Sequence, residues 1–315
     1  MLTGTIDLHL HTICSDGLDS PEALVETALA SGYRAISITD HDTVEGVIRG
    51  METAKDIDLE LIPGIELSSI ENLTDIHILG YFVDYRDREF IRRIAFFKEK
   101  RRDRAEEIVL ALNRLGLDIQ IDTVLRIAHG APVGRPHIAE ALLSEELVAT
   151  YDEAFVRYIG VHGPAYVPKY RVEPREAIEL ILNSGGIPVL AHPGVLNRDE
   201  LIPELVEYGL MGIEAIHPLH TIEKRAFYER LAEKYGLLVT GGSDWHGKGR
   251  SRNPRKTASY LKLPERCVAD LKAALSYRGP RACVHTRGNN GIPAGAGNRG
   301  AKNGNTCGKR VASST

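Results

Sequence analysis

Cysteine is scarce in this chain: Cys14, Cys267, Cys283 and Cys307 are all that 315 residues contain. They show neither short paired spacing nor the density of a secreted disulfide scaffold, so a reducing compartment is expected, with the cytoplasm as the default. Long apolar runs are missing too. Nothing approaches the ~20 residues that span a bilayer, and no basic segment followed by an apolar stretch and a cleavage site opens the chain, so neither membrane anchoring nor export is expected. Excess positive charge is also absent, since 39 Lys and Arg against 43 Asp and Glu leave −4 at pH 7. That balance argues against a protein gripping long duplex nucleic acid through a broad basic surface, but leaves room for a small anionic substrate held by metals and a few arginines. There is no repeat of fixed period.

What is present is alternation. Short apolar runs at Ile6–Leu10, Ala35–Thr39, Glu60–Leu67 and Asp75–Val83 are separated by helical patterns, the first from Pro21 to Ser31 with Ser20 as its cap, the second capped by Asp42 or Thr43 and running to about Lys55. From Arg88 to about Tyr170 the pattern changes to helices with charged faces, including Lys98–Arg104, where Arg101 and Arg104 are placed at a helix start, and Arg135–Leu142. Alternation then resumes with helix Pro174–Ser184, strand Ile187–Ala191, helix Arg198–Tyr208, strand Gly212–Ile216, helix Ile222–Tyr235, strand Leu237–Thr240 and a final helix near Glu265–Tyr277. The expectation is an α/β fold with seven strands in a parallel sheet or barrel, residues 1–87 and 171–284, and a helical insert, residues 88–170. Residues 285–315 are rich in Gly, Asn, Ala and Ser and carry five basic residues and no acidic one, so a disordered basic tail is expected; without it the formal charge falls from −4 to −9.

Histidines and acids gather at the strand ends: His9, His11, His41, Glu66, His192, Asp244 and His246, with His77 on the fourth strand. In an α/β barrel those ends share one face. Residues two apart on a strand point the same way, so His9 and His11 suit one metal, and Asp244 and His246 repeat the spacing. Taken singly, each has a plainer reading: a strand histidine is more often a hydrogen-bonded structural residue, and Asp16 before Gly17 or Asp40 before His41 can simply form a turn. Taken jointly the balance reverses, because so many buried polar groups at one end of a barrel would cost several kcal/mol each unless cations or partners satisfied them. One zinc-like ion takes about four ligands, so this donor set implies two or three metals.

The segments His9-Leu-His11, Ser15-Asp16-Gly17, Thr39-Asp40-His41-Asp42, Pro63-Gly64-Ile65-Glu66, Ala191-His192-Pro193 and Gly242-Ser243-Asp244-Trp245-His246 together resemble the motifs of the PHP (polymerase and histidinol phosphatase) superfamily, over about residues 1–250. The resemblance implies a distorted (β/α)7, TIM-like barrel with a trinuclear centre that hydrolyses phosphate esters. By that resemblance one metal takes His9, His11, Glu66 and Asp244, a second Glu66, His77 and His192, and a third Asp16, His41 and His246. The cations expected are divalent, manganese ahead of zinc or iron. Arg101 and Arg104, with Gly134-Arg135-Pro136-His137, resemble the branch of 3′,5′-nucleoside bisphosphate phosphatases and 5′→3′ exonucleases on short RNA, which makes Arg101, Arg104, Arg135 and His137 candidate substrate contacts. Guanidinium forks pair bidentately with phosphate, whereas Arg102 and Lys100 fit a solvated face. A small nucleotide or short oligonucleotide is thus the expected partner. The alternatives are a histidinol-phosphate or other small-molecule phosphatase, and a metal-binding regulatory module without turnover. His217 is a candidate acid for the leaving group, with hydrogen-bond support of a ligand as the competing role, and His220 shares its loop. Cys14 reads as a small buried neighbour.

Overall fold

The computed structural model describes residues 5–72, 74–168, 170–247 and 263–277. The expected basic tail lies outside the described residues, as do Cys283 and Cys307. Seven strands form one sheet in chain order: β1 (Thr5–Leu10), β2 (Tyr33–Ile38), β3 (Glu60–Glu71), β4 (Thr74–Tyr81), β5 (Ile187–Leu190), β6 (Gly212–Ile216) and β7 (Leu238–Gly241). The His11 N–H donates to the Trp245 carbonyl at 2.9 Å, and Leu10 bridges Trp245 in parallel, which joins β1 to the segment beyond β7 and bends the sheet into a distorted barrel.

One strand departs from the parallel pattern. β1–β2–β3 and β5–β6–β7 run parallel, but β4 is antiparallel to both neighbours. The reason is chain length: β3 runs to Glu71 rather than Leu67 and β4 starts at Thr74, so only residues 72 and 73 intervene. A parallel crossover needs about a dozen residues, so the strands form a hairpin, with Asn72 at φ 48° in its turn. Glu66 consequently sits in the middle of β3 rather than at its end. In the hairpin register Glu66 faces Leu79 and Ser68 faces His77, which puts both functional side chains on one face.

Around the sheet, α1 (Pro21–Ala30) is capped by Ser20, whose hydroxyl accepts the Ala23 N–H at 3.1 Å. α2 (Glu45–Thr53) begins after Val44 rather than after Asp42 or Thr43, because the Asp42 carboxylate is engaged by Ser68 and Arg101 instead. The insert comprises α3 (Arg88–Arg114), α4 (Ile121–Ala128), α5 (Arg135–Ser144) and α6 (Tyr151–Ala154), the last running into a π-helical turn at Phe155–Ile159. α3 contains no glycine or proline and is capped by Asp87, so it runs unbroken through the Lys98–Arg104 stretch; Arg101 and Arg104 lie mid-helix, not at a start. Then follow α7 (Pro174–Asn183), α8 (Pro193–Leu196), α9 (Ile202–Glu207), α10 (Ile222–Tyr235) and α11 (Arg266–Tyr277). The helix expected from Arg198 is divided, a 3₁₀ turn at Asp199–Leu201 preceding α9, whose Pro203 favours a fresh first turn.

Apolar burial follows the same division. One cluster joins the sheet to its helices through residues such as Ile36, Val47, Ile78, Ile178 and Ile213, and another joins Leu8, Ile62, Leu79 and Val189 to Val268 and Leu271 of α11. A separate cluster, including Ile108, Leu112, Val124, Ile138, Leu142 and Ile159, is drawn entirely from residues 105–165. At about 1.5–3 kcal/mol per fully buried aliphatic side chain, each of these anchors its own part of the fold. Among the described residues no helix is long and apolar enough to cross a membrane.

Candidate metal centre

The strand period places Asp7 and His9 on one face of β1, and His11, just past its end, continues that face; all three are buried. The next turn is shaped by Asp40, which accepts hydrogen bonds from the Thr12 N–H and Thr12 hydroxyl at 2.7 Å each and from the Ser15 hydroxyl at 2.6 Å. Gly17 permits the return, since a Cβ there would lie 2.5 Å from the His11 carbonyl. Asp16 is thereby brought beside the β1 histidines. His41 follows β2, His77 comes from β4, His192 follows β5, and Asp244 and His246 follow β7. His192 and Asp244 hold φ of 30° and 51°, a left-handed conformation that non-glycine residues keep only under constraint.

Glu66 is the hub. Its Oε2 lies 3.1 Å from His9 Nε2, 3.2 Å from His11 Nε2 and 3.3 Å from His41 Nδ1, while Oε1 lies 2.8 Å from His77 Nδ1 and 3.1 Å from His192 Nε2. Asp244 Oδ1 is 3.6 Å from His9, 3.4 Å from His11 and 3.5 Å from His246. Asp16 Oδ1 is 3.3 Å from His246 Nε2 and 3.8 Å from His11 Nδ1. All nine expected ligands therefore converge. Three overlapping groups each offer donor atoms within 4.8 Å of one another: His11, Asp16, His41 and His246; His9, His11 and Asp244; His41, Glu66 and His77. These groups share His11 and His41, a partition that differs in detail from the one the resemblance implied.

The donor chemistry fits cations. His11 Nδ1, His41 Nδ1 and His77 Nδ1 are buried without a hydrogen bond, and His9 Nε2 faces His11 Nε2 at 3.1 Å, an arrangement in which at least one nitrogen must carry a proton if nothing else lies between them. Burial opposes protonation of His11, but Asp244 and Glu66 outweigh it and push that imidazole up to about 10. Burial instead prevails at His41, pushed down to about 3 against the pull of Glu66 and Asp16. Burial would raise the Glu66 carboxyl, yet His41, His9 and His77 hold it well below the usual range. Nitrogen and oxygen donors of this kind suit borderline divalent ions.

Side chains of α3 and α5 share a cleft with this cluster. A cleft of about 210 Å³ is lined by Asp16, His41 and His77 from the barrel and by Arg101, Arg104, Arg135 and His137 from the insert. Two of those four are committed to holding the insert in place. Arg101 donates through Nε to Asp42 at 2.6 Å and through Nη2 to the Ser68 hydroxyl at 2.7 Å. His137 accepts the Gly134 N–H on Nδ1, and its Nε2 donates to the Ser15 carbonyl, both at 3.1 Å. The other two are less fully engaged. Arg104 uses Nε on the Val167 carbonyl at 2.8 Å, but its buried Nη2 has no hydrogen bond; Arg135 lies over the Phe155 and Tyr166 rings and makes long polar contacts, 3.4 Å from the Ile159 carbonyl and 4.0 Å from Asp75. Burial, with Arg135 and Arg101 alongside, pushes Arg104 down to about 10.

On the opposite side, His217 accepts the Leu219 N–H on Nδ1 and directs Nε2 toward Asp244 Oδ2 at 3.6 Å, without a hydrogen bond. His220 is structural: Nδ1 meets the Ala215 carbonyl at 2.9 Å and Nε2 the Gly194 N–H at 3.0 Å. Cys14 is buried and its thiol is pushed up by that burial. Sequence reasoning passed over Glu214, a buried carboxylate on β6, and Asp7, which accepts the Ser243 N–H at 2.9 Å. The signal for Glu214 was a lone carboxylate in an otherwise apolar strand, and for Asp7 a carboxylate two residues before His9 on the same strand face.

The sequence profile of the PHP domain matches residues 7–183, more than half of the chain. The chain belongs to the PHP domain family. It is a metal-dependent phosphoesterase of that family. Because the profile match ends before β5, His192, Asp244 and His246 are added to the site by the fold. The chain is 32% identical over 246 residues to the phosphoribosyl 1,2-cyclic phosphate 1,2-diphosphodiesterase of Eggerthella lenta, covering 77% of this chain and 94% of that protein. A 5′-3′ exoribonuclease of Haemophilus influenzae is 33% identical, covering 78% and 91%. The 3′,5′-nucleoside bisphosphate phosphatase of Chromobacterium violaceum is 26% identical, covering 78% and 88%. Among solved structures, a Bifidobacterium adolescentis protein described as a metal-dependent phosphoesterase superposes with a TM-score of 0.76 at 31% identity, covering 86% of this chain and 96% of that one.

Proposed function

We propose that this PHP-family enzyme hydrolyses phosphate esters of small nucleotides that carry a second phosphate, as a 3′,5′-nucleoside bisphosphate phosphatase or a 5′→3′ exonuclease on short 5′-phosphorylated RNA. The observation that carries this reading is the shared cleft, in which Arg104 keeps a buried Nη2 without a hydrogen bond and Arg135 stands beside it, both lining the same space as Asp16, His41 and His77. A guanidinium buried beside two others is unfavourable by itself and becomes favourable when a polyanion enters. The names of the Haemophilus and Chromobacterium relatives support the nucleotide class. The Eggerthella relative supports a second reading, a phosphoribosyl cyclic phosphate, which also joins a cleaved phosphate to a sugar.

His9, His11, Asp16, His41, Glu66, His77, His192, Asp244 and His246 would hold two or three divalent cations, manganese ahead of zinc or iron. Such cations supply positive charge to the phosphoryl oxygens and activate a water as nucleophile. The chain's own residues do the rest. Residues 88–170 act as a cap on a barrel formed by residues 1–87 and 171–284, and the cap's Arg104 and Arg135 orient the phosphate that is not cleaved. His217, with Nδ1 fixed by Leu219, keeps Nε2 available to deliver a proton to the leaving oxygen.

The test is a panel of substrates with manganese-loaded protein: nucleoside bisphosphates, 5′-phosphorylated oligoribonucleotides, phosphoribosyl cyclic phosphate, histidinol phosphate and a simple aryl phosphate. Arg135→Ala should raise KM for bisphosphates roughly 10- to 100-fold, the loss of one charge-assisted hydrogen bond, and leave the aryl phosphate nearly unchanged. Equal effects on both would overturn the role of the cap.

A further inference from the structure

Glu214 belongs to none of the three donor groups, yet it is fully buried on β6 and spends both oxygens on residues of the centre. Oε1 lies 2.9 Å from His9 Nδ1, and Oε2 accepts the backbone N–H of His192 at 2.8 Å. We infer that Glu214 is the positioning residue of the metal centre, fixing the tautomer of His9 and the strained turn at His192 from a single carboxylate.

The first half follows from hydrogen-bond chemistry. An ionised carboxylate only accepts, so the proton of a neutral His9 ring must reside on Nδ1. That leaves the Nε2 lone pair directed at the space bounded by Glu66 Oε2, His11 Nε2 and Asp244 Oδ1, at 3.1, 3.1 and 3.6 Å. In the other tautomer an N–H would occupy that direction and exclude a cation. Partners of this kind, a carboxylate behind a ligating imidazole, raise ligand basicity and hold the ring plane.

The second half follows from backbone sterics. His192 adopts φ 30° and ψ 55°, a left-handed conformation, and the next residue is proline, whose ring further narrows what His192 can adopt. Its N–H is turned into the barrel and meets Glu214. The rest of the turn is braced independently, by His220 Nε2 on the Gly194 N–H at 3.0 Å and by Lys224 Nζ on the Gly194 carbonyl at 2.6 Å. Removing the Glu214 charge should therefore disturb the ligands without dismantling the turn. One carboxylate thus ties the ligand of β1 to the ligand beyond β5.

This inference rests on the proposed metal centre, and the experiment separates the two. Wild-type protein reconstituted with zinc alone should hold at least two equivalents by elemental analysis; fewer would overturn the metal centre itself. In that zinc-loaded, diamagnetic sample, long-range ¹H–¹⁵N spectra should place the His9 proton on Nδ1, the signal being assigned by its loss in His9→Gln. A proton on His9 Nε2 would overturn the role of Glu214 without any substitution at that position. In Glu214→Gln the amide can serve the His192 N–H only by presenting its NH₂ to His9, which turns Nδ1 into an acceptor. Zinc affinity should then fall roughly 10- to 100-fold while the metal-free protein keeps its circular dichroism, and Glu214→Asp should recover part of the loss. Wild-type zinc affinity in Glu214→Gln would also overturn it.

Discussion

Arg104 offers the sharpest test of the proposed cap, because the same physics predicts opposite effects on stability and on substrate binding. The residue is 8% exposed, and its guanidinium donates through Nε to the Val167 carbonyl and is pushed down to about 10 by burial and by Arg135 and Arg101. For a base whose folded value lies below its unfolded one, the charged form is disfavoured by folding. The penalty is fully present at pH 7, where both states are protonated, and is relieved only as pH rises through about 10. At about 1.4 kcal/mol per tenfold change in proton affinity, it is on the order of 3 kcal/mol. Arg104→Met keeps helix propensity and much of the volume, removes the charge, and loses a bond to the Val167 carbonyl worth roughly 1 kcal/mol. The ligand-free variant should be more stable by about 1–2 kcal/mol, which in a domain of this size raises Tm by roughly 2 to 8 °C. The same variant should bind a bisphosphate at least about tenfold more weakly, since the lost contact is charge-assisted. Differential scanning fluorimetry on chelator-treated protein, with and without inorganic phosphate, reads the first effect, and KM on the metal-loaded enzyme reads the second. A variant that melts below wild type with unchanged KM would show Arg104 to be an ordinary structural residue.

Removing cations with a chelator should lower Tm, and restoring one site at 100 times its Kd should return about 2.7 kcal/mol, roughly 5 to 10 °C in a fold of this size. If manganese, zinc and iron all leave Tm unmoved, the cluster does not bind metal in the folded state. His137→Ala should cost about 2–4 kcal/mol through two lost hydrogen bonds and a small cavity, and should speed amide exchange across residues 12–17, because the Ser15 carbonyl loses its tie to α5. Exchange in that loop equal to wild type would refute the tether.

The clustering of the candidate ligands was legible because their chemistry and their spacing coincide. His9 and His11 declare a face by strand period, and Asp244 with His246 declares another; the β/α pattern then brings distant pairs to one end of the barrel. The β3–β4 hairpin was not legible from apolar patterning alone, since Glu60–Leu67 and Asp75–Val83 look alike in either direction. Its sign was the gap: once β3 is carried to Glu71, residues 72 and 73 are too few for a crossover. Arg101 and Arg104 were placed at a helix start because the charge run stands out there. The uninterrupted propensity from Arg88 onward carries more weight than the charge, and it sets both arginines mid-helix on the side that meets the barrel.

What the sequence could not separate was holding a ligand from holding the holder. Arg101 and Arg104 are three residues apart on one helix face, yet Arg101 binds Asp42 and Ser68 through Nε and Nη2 while Arg104 keeps a buried Nη2 without a hydrogen bond. Asp42 is the reason, and its role depends on a φ of 52° that no composition reveals. His137 looked like a phosphate contact and is occupied at both nitrogens; Glu214 looked like an odd acid in an apolar strand and reaches two ligands at once. In each case the deciding quantity is how many of a side chain's hydrogen-bonding positions are already filled, which is a property of neighbours far along the chain. On the proposed function, substitutions at Arg104 and Arg135 should therefore change substrate choice, whereas altering Arg101, His137 or Glu214 should move the scaffold around the cleft.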